Sequence, residues 1–272
     1  MKIFLGPAGI PFSCEKRDTI EGIKKVAELG LNAMEVEFVH SVYMKKEVAE
    51  QAGQVAEEMG VRLSIHAPYY INLCSEKKET IAASRKRIFD CADRGERMGA
   101  DAIAIHSAYY GKFEREKVFE VVKEEFLKIL DEMKSAGIKN VRLGVETMAK
   151  RSQFGTLEEV VELHRQVKQV VPYIDWAHLF VRGGGKVDYG NVLEVLKKAK
   201  MDHINSHFEG VSKNKSGEWV DVHAPIKDPA FEPLARELIK KKIDITIISE
   251  SPLLEEDSLK MKKILEKAGH IF

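Results

Sequence analysis

The chain has 272 residues, of which 44% are hydrophobic and 32% are charged, so it can bury a large core and is not a disordered protein. Acidic and basic residues number 43 each, so no overall field attracts nucleic acid or membrane, and an anionic partner would need a local basic patch or bound cations. The three cysteines, Cys14, Cys74 and Cys91, show no C-x-x-C spacing, which predicts a reduced, cytoplasmic protein. Gly6 and Pro7 interrupt the amino terminus too early for a secretory signal, and no apolar run approaches the roughly 18 residues of a membrane span.

Strand and helix patterns alternate along the chain. The first half predicts strands at Lys2–Gly6, Ala33–Phe38, Arg62–His66 and Ala102–His106, and helices at Thr19–Leu29, Lys45–Met59, Lys78–Met98 and Glu114–Ser135. The second half predicts strands at Val141–Glu146, Tyr173–Asp175, His203–Phe208 and Asp244–Glu250. Its helices are predicted at Leu157–Val170, ended by Pro172, at Tyr189–Ala199, from Pro229 or Phe231 to Lys241, and at Glu256–Ala268.

Eight strands alternating with eight helices predict one (β/α)8 TIM barrel, in a single domain over residues 1–272, because helical connections require parallel strands. A doubly wound open sheet is the alternative, but no glycine-rich phosphate motif follows the first strand. In Val61–His66 and Ile243–Glu250 the apolar residues share one face and a mixed set shares the other. This alternation predicts apolar contact with the helices and a mixed lumen.

Histidines and carboxylates stand at the carboxyl ends of the later strands, where barrels of this class carry their active sites. They are His66, His106, Glu146, Asp175 with the nearby His178, His207 and Glu250. The connection after Phe208 is longer than an ordinary loop and carries Asp221 and His223, whose side chains share a side if the segment is extended.

Any one of these residues could be an ordinary polar group at a strand end. The nine together indicate a metal centre, because burying them without cations would be costly. Mixed histidine and carboxylate sets suit zinc or, less specifically, manganese and iron, and nine donors exceed the needs of one ion. The sequence therefore predicts two or three metal ions.

His203 and His207 both face the lumen, but they are separated by roughly 13 Å along the strand. We expect His207 to be the ligand and His203 to be structural. The alternative register, with His203 as the ligand, stays open at this stage.

The same residues lie in motifs of a known family. These are H-A-P-Y-Y-I-N-L at 66–73, D-W-A-H at 175–178, H-F-E-G at 207–210, D-V-H at 221–223 and S-E-S-P at 249–252, with His106 and Glu146 between them. With these motifs the chain resembles, over essentially its whole length, the endonuclease IV-type apurinic/apyrimidinic (AP) endonucleases, which belong to the xylose isomerase-like barrel superfamily.

The resemblance implies a site for three zinc ions, with Mn²⁺ as a possible substitute. His66 and His106 would hold the first ion, Asp175, His207 and Glu250 the second, and His178, Asp221 and His223 the third. Glu146 would bridge the first two ions as the catalytic carboxylate. The implied reaction is hydrolysis of the phosphodiester 5′ to an abasic site in duplex DNA, with a metal-bound hydroxide as the nucleophile.

Three segments depart from the family pattern. His106-Ser107-Ala108 stands where the family usually has His-Pro-Gly, Met148–Gln153 replaces a glycine-glutamine loop, and Trp176-Ala177 replaces Thr-Cys. These positions bear on substrate preference and rate more than on metal binding.

The resemblance also implies contacts to DNA. Tyr69 and Tyr70 match the family's minor-groove wedge, although aromatic residues can also simply cover the end of a barrel. Basic side chains on the same loops would contact phosphates or would be ordinary solvated residues, namely Lys150, Arg151, Arg182, Lys186, Lys213 and Lys215. The expected partner is duplex DNA containing abasic sites, with no membrane contact, and the protein is expected to be a monomer.

Two other classes compete with this hypothesis. Sugar isomerases and epimerases of the same superfamily are similar in using ligands like Glu146, Asp175, His207 and Glu250, but for one divalent ion. A non-enzymatic, metal-dependent DNA- or sugar-binding module is the third class. Metal stoichiometry separates the first two classes, and turnover excludes the third.

Overall fold

A computed structural model describes residues 1–272 and contains an eight-stranded parallel sheet curled into a nearly closed barrel, which confirms the predicted architecture. The barrel strands are β1 (Ile3–Pro7), β2 (Ala33–Glu37), β3 (Arg62–His66), β4 (Ala102–Ile105), β5 (Arg142–Glu146), β6 (Val170–Asp175), β7 (Ile204–Phe208) and β10 (Ile245–Ser249). An antiparallel hairpin of β8 (Gly210–Lys213) and β9 (Trp219–Ala224) follows β7.

Nine helices surround the barrel. They are α1 (Thr19–Glu28), α2 (Lys46–Met59), α3 (Lys78–Met98), α4 (Arg115–Ser135), α5 (Leu157–Gln166), α6 (Trp176–Arg182), α7 (Tyr189–Lys198), α8 (Glu232–Lys241) and α9 (Glu255–Lys267). Local sequence fixes several of their ends. Asp18 and Thr156 cap the first turns of α1 and α5, and Gly60 and Gly99 end α2 and α3 in the left-handed conformation. None of the helices combines the length and the apolar character needed to span a bilayer.

The barrel closes where β1 meets β2. The hydrogen-bonded strand order is β1-β10-β7-β6-β5-β4-β3-β2, and a bridge between Ala8 and Glu35 joins the two ends. A Cβ atom at Gly6 would lie 1.5 Å from the carbonyl oxygen of Ala33, so only glycine permits this approach. Closure places the carboxylate of Glu35 inside the barrel, fully buried.

The two faces of the barrel strands differ in polarity, as predicted. Leu63, Ile65, Ile245 and Ile247 belong to the main cluster of 61 buried apolar residues. Ser64, on the opposite face of β3, donates a hydrogen bond from Oγ to Glu35 Oε2 at 2.7 Å. The lumen therefore contains polar side chains that are paired with one another, while the apolar faces pack against the helices.

The structure corrects the predicted boundary before the sixth strand. The helix predicted at Leu157–Val170 ends at Gln166, and Pro172 lies inside β6, which begins at Val170. The β-branched residues Val170 and Val171 favour the extended chain, so the strand is longer than predicted. The short helix α6 was not predicted. It begins because Asp175 accepts a hydrogen bond from the backbone N–H of His178 at 2.6 Å.

The other boundaries agree with the sequence prediction to within one residue, with α8 starting after Phe231 rather than Pro229. The long connection after Phe208 contains the β8–β9 hairpin, which the sequence analysis did not predict. The three cysteines are buried and unpaired.

His203 lies at the amino-terminal end of the barrel, just before β7. Its Nε2 is hydrogen bonded to Thr246 Oγ1 at 2.8 Å, and its ring packs against the edge of Phe4 at a centroid distance of 5.9 Å. Burial and the nearby guanidinium groups of Arg62 and Arg142 lower the pKa of His203 to about 3. The residue thus occupies a structural position away from the predicted ligands.

We predict that His203 makes the folded protein acid-sensitive. Because its pKa is lower in the folded than in the unfolded protein, its contribution to stability is present above about pH 6.5 and is lost progressively as the pH falls. Between about pH 7 and about pH 5, the free energy of unfolding should fall more steeply in the wild type than in His203→Gln, whose amide can still pair with Thr246. Urea unfolding at each pH measures this difference. Identical slopes for the two proteins would contradict the prediction.

Candidate metal centre

Two groups of donor atoms meet at the carboxyl ends of the barrel strands. The first group contains His66, His106 and Glu146, and the second contains Glu146, Asp175, His207 and Glu250. Within each group the donors lie within 4.8 Å of one another. Glu146 belongs to both. Its Oε2 lies 2.9 Å from His106 Nε2, and its Oε1 lies 3.2 Å from His207 Nδ1. The carboxylate therefore lies between the two groups.

A third group forms where the hairpin folds over the barrel. Asp221 Oδ1 lies 3.4 Å from His178 Nε2 and 3.5 Å from His223 Nε2. Asp221 and His223 are two residues apart in β9, so their side chains project to the same side of the strand. The carboxylate of Glu209, which the sequence analysis did not single out, lies within 4.8 Å of donors from both histidines.

Backbone carbonyl groups orient three of these imidazoles. In each ring Nδ1 pairs with a backbone oxygen, at distances of 2.7 Å for His66 with Ala67, 2.9 Å for His178 with Thr147 and 3.1 Å for His223 with Glu250. A carbonyl oxygen only accepts, so Nδ1 carries the hydrogen and Nε2 presents a lone pair to the cluster. Metal-binding histidines are commonly held in this way.

In His207 the nitrogen that is held is Nε2 rather than Nδ1, and its partner is the carboxylate of Glu35, which the sequence analysis did not identify. Its Nε2 lies 2.7 Å from Glu35 Oε1, which leaves Nδ1 facing the second group. The other oxygen of Glu35 accepts hydrogen bonds from Ser64 Oγ at 2.7 Å and Tyr173 OH at 2.8 Å. Glu35 is therefore fully paired and orients His207. The signal in the sequence is a pair of glutamates, Glu35 and Glu37, within the otherwise apolar strand β2.

The carboxylates favour positive charge on the imidazoles. Burial lowers the pKa of His66, but Glu146 and Glu37 outweigh it and raise that pKa to about 10. Burial likewise opposes the charge on His223, yet Asp221 raises its pKa to about 10. In return, His106 and His207 hold the pKa of Glu146 well below its usual range despite its burial. A field that attracts protons to these nitrogens also attracts metal cations.

Several carboxylate oxygens in the centre are buried and lack a hydrogen-bond partner. They are Asp175 Oδ2 and both oxygens of Glu209. Such atoms are costly unless they are neutralised or bound by a cation. Together with the mixed imidazole and carboxylate donors, this arrangement fits zinc or manganese ions.

The centre opens into a cleft of about 340 Å³, here called the metal cleft. Its lining combines predicted ligands with loop residues: His66, Tyr69, His106, Tyr109, Met148, Lys150, Gln153, His178, Asp221, His223 and Glu250. A second depression of about 910 Å³, here called the basic groove, adjoins it, because Lys150 and Asp221 line both. The basic groove also contains Arg151, Arg182 and Lys213.

The predicted DNA-contact residues differ in their surroundings. Tyr69 is 43% exposed, with its ring centroid 5.0 Å from that of His66, whereas Tyr70 is 61% exposed and stacks on His40. The guanidinium of Arg182 donates hydrogen bonds to the carbonyl oxygens of Met148 and Lys150, so it also holds a loop. Lys186 is exposed but lies outside the lining of the basic groove.

The amino-acid sequence matches a known protein family. Residues 23–267 match the family model described as xylose isomerase-like TIM barrel. The chain belongs to that family. One family relative, an uncharacterised protein of Methanocaldococcus jannaschii, is 31% identical over 273 residues, which cover 96% of each chain. A Mycoplasma mobile protein named "Probable endonuclease 4" is 26% identical over 74% of this chain and 72% of its own length.

Solved structures show that the barrel itself is shared by different enzymes. Endonuclease IV from Thermus thermophilus has a TM-score of 0.71 and 20% identity, covering 96% of this chain and 98% of its own. A D-tagatose 3-epimerase-like protein also has a TM-score of 0.71, with 19% identity and 96% coverage of both chains. Likeness at this level of identity establishes the fold, so the activity must be argued from the site.

We predict that the purified protein contains two to three zinc or manganese ions per chain, because the predicted ligands form three groups. Removing the ions with a chelator should lower the melting temperature, since ions that bind only the folded chain stabilise it. Elemental analysis and thermal unfolding before and after chelation test this. A content of one ion per chain would contradict the three-group centre.

We further predict that His207→Ala loses bound metal and that His203→Ala does not. His207 Nδ1 lies 3.5 Å from Glu250 Oε2, whereas His203 is paired with Thr246 at the other end of the barrel. Elemental analysis of the two variants, prepared in parallel, compares these histidines directly. Loss of metal from His203→Ala alone would show that the ligand is assigned to the wrong histidine.

Proposed function

We propose that the protein is a metal-dependent phosphodiesterase that cleaves duplex DNA 5′ to abasic sites and leaves a 3′ hydroxyl. The observation that carries the proposal is the adjacency of three donor groups in one cleft, two of them sharing Glu146. A phosphodiester presents an attacking and a leaving oxygen, which suits several cations, whereas proton transfer in a sugar isomerase needs one. The relatives named as endonuclease 4 support this choice.

The proposed ligands follow the three groups. His66 and His106 would hold one ion, Asp175, His207 and Glu250 a second, and His178, Asp221 and His223 a third, with Glu146 between the first two. Bound zinc or manganese would supply Lewis-acid charge and lower the pKa of water to near neutrality. The contribution of Glu146 is geometric as well as electrostatic, because its two oxygens face different histidines and fix the spacing of the groups.

Chain groups near the cleft would position the DNA. Lys150 borders both the metal cleft and the basic groove, so a phosphate in the cleft would have a cation beside it and further basic side chains along the groove. We propose that Arg151, Arg182 and Lys186 contact neighbouring phosphates, with Arg182 acting partly through the loop it holds. The protein has no net charge, so this contact must come from the local patch.

We propose that Tyr69 and Tyr70 enter the minor groove at the lesion. Both rings are exposed at the mouth of the metal cleft or beside it, and aromatic wedges of this kind unstack and kink DNA. An abasic nucleotide has already lost its base, so rotating it into the cleft costs less than extruding an intact nucleotide. This difference in cost is the proposed origin of abasic-site selectivity.

A sugar isomerase or epimerase is the second candidate. The group of Glu146, Asp175, His207 and Glu250 could hold a single ion, and an epimerase-like protein shares the barrel. That reaction would leave the His66–His106 pair and the Asp221 group without a role. The incision hypothesis uses all three groups.

The test combines incision and sugar assays on one preparation. Metal-loaded protein should cut a labelled duplex 5′ to a single abasic analogue, with weaker binding at higher salt as counterions are released. Glu146→Gln should lose nearly all turnover, because it removes the negative charge shared by two donor groups. Glu232→Gln, an exposed residue in the first turn of α8, is the matched control and should keep wild-type activity.

A panel of ketoses assayed in parallel distinguishes the two candidates. Interconversion of sugars without DNA incision would overturn the nuclease proposal in favour of the epimerase. Incision that survives in Glu146→Gln would instead show that this carboxylate is not central to the reaction.

A further inference from the structure

Glu209 is a buried carboxylate that none of the site assignments above uses. It lies between the end of β7 and the start of β8, and its side chain is fully buried. Neither carboxylate oxygen has a hydrogen-bond partner. Burying a carboxylate with both oxygens unpaired costs free energy, so a cation bound beside Glu209 would stabilise the fold.

The hairpin fixes the position of Glu209 beside the third donor group. Gly210 pairs with Ala224 and Val211 pairs with His223 across β8 and β9, so the start of β8 is held against the strand that carries His223. A Cβ atom at Gly210 would lie 2.2 Å from the carbonyl oxygen of Pro225, so the close approach depends on glycine at this point. Backbone pairing thus determines where the Glu209 side chain enters the centre.

The carboxylate points toward the histidines of the third group. One of its oxygens lies within 4.8 Å of donor atoms from both His178 and His223, which are themselves in contact with Asp221. Two donors that are each about 2.1 Å from one metal ion lie at most about 4.2 Å apart. Side chains whose donors lie within 4.8 Å of one another therefore need only small shifts to share an ion.

We propose that Glu209 is a fourth protein ligand of the third metal ion, in addition to His178, Asp221 and His223. This inference rests on the proposed occupation of that group by a divalent cation. The resulting set has two imidazoles and two carboxylates, which is richer in oxygen than the set of three implied by the family resemblance. Additional carboxylate oxygen makes the site more suitable for Mn²⁺ and leaves fewer open positions for a substrate oxygen.

The experiment compares Glu209→Gln with the wild type and with Glu218→Gln. Glu218 is exposed on the same hairpin and accepts a hydrogen bond from Asn214, which a glutamine oxygen can also accept. Each protein is loaded with Mn²⁺ or Zn²⁺ and dialysed against increasing concentrations of a chelator. We expect Glu209→Gln to release one ion per chain at a chelator concentration at which the wild type and Glu218→Gln retain all three.

Thermal unfolding distinguishes a ligand from a residue with only a structural role. A ligand contributes to the metal-dependent part of stability, so the rise in melting temperature on metal loading should be smaller in Glu209→Gln than in the other two proteins. A purely structural carboxyl group would shift the loaded and metal-free proteins equally. Equal shifts, together with wild-type metal retention, would overturn the assignment.

The outcomes separate this inference from the proposed function. If the wild type incises abasic DNA with three ions and Glu209→Gln keeps all three, the inference alone fails. If Glu209→Gln loses one ion but no protein incises DNA, the ligand assignment stands and the nuclease proposal fails. A wild type that never binds a third ion would overturn the assignment of Glu209 as well.

Discussion

The structure depends on how the barrel accommodates carboxylates buried close together at one end of its lumen. Glu35, Glu146, Asp175 and Glu209 are all almost completely removed from solvent, and their mutual repulsion would be severe without nearby positive charge. Imidazoles provide part of the compensation, which is why the pKa of Glu146 is low although its surroundings are buried. The remaining unpaired oxygens give the same region the character of a candidate cation site rather than a conventional core.

Contacts outside the donor groups fix the orientation of side chains within them. His207 faces the centre through Nδ1 because Glu35 holds its other nitrogen, and Glu35 is itself fixed by Ser64 and Tyr173. This chain of contacts links β2, β3, β6 and β7 across the lumen. Correct closure of the barrel at β1 and β2 is therefore also a condition for the correct orientation of His207.

The hairpin between β7 and α8 adds donors to the rim beyond those that a single ion would need. It adds Asp221 and His223 above His178 and covers Glu209, so a third donor group stands beside the two that share Glu146. An endonuclease and an epimerase-like protein share the barrel fold, so the phosphodiesterase proposal rests on the additional donors that the hairpin supplies. The adjoining basic groove concentrates positive charge locally on a protein with no net charge.

The sequence by itself determined the barrel and most of the donor set, because period-two alternation identifies the strands and parallel strands bring their carboxyl ends together. It also favoured His207 over His203 as the metal ligand. Residue number gives the position along a strand, and His207 is the histidine nearer the carboxyl end. Only the tertiary structure revealed the surroundings of Glu35 and Glu209. Glu35 pairs with a histidine 172 residues away, and Glu209 is buried by a hairpin that the sequence pattern did not reveal. Pairing and burial of this kind arise from contacts between distant segments, which local sequence patterns do not encode.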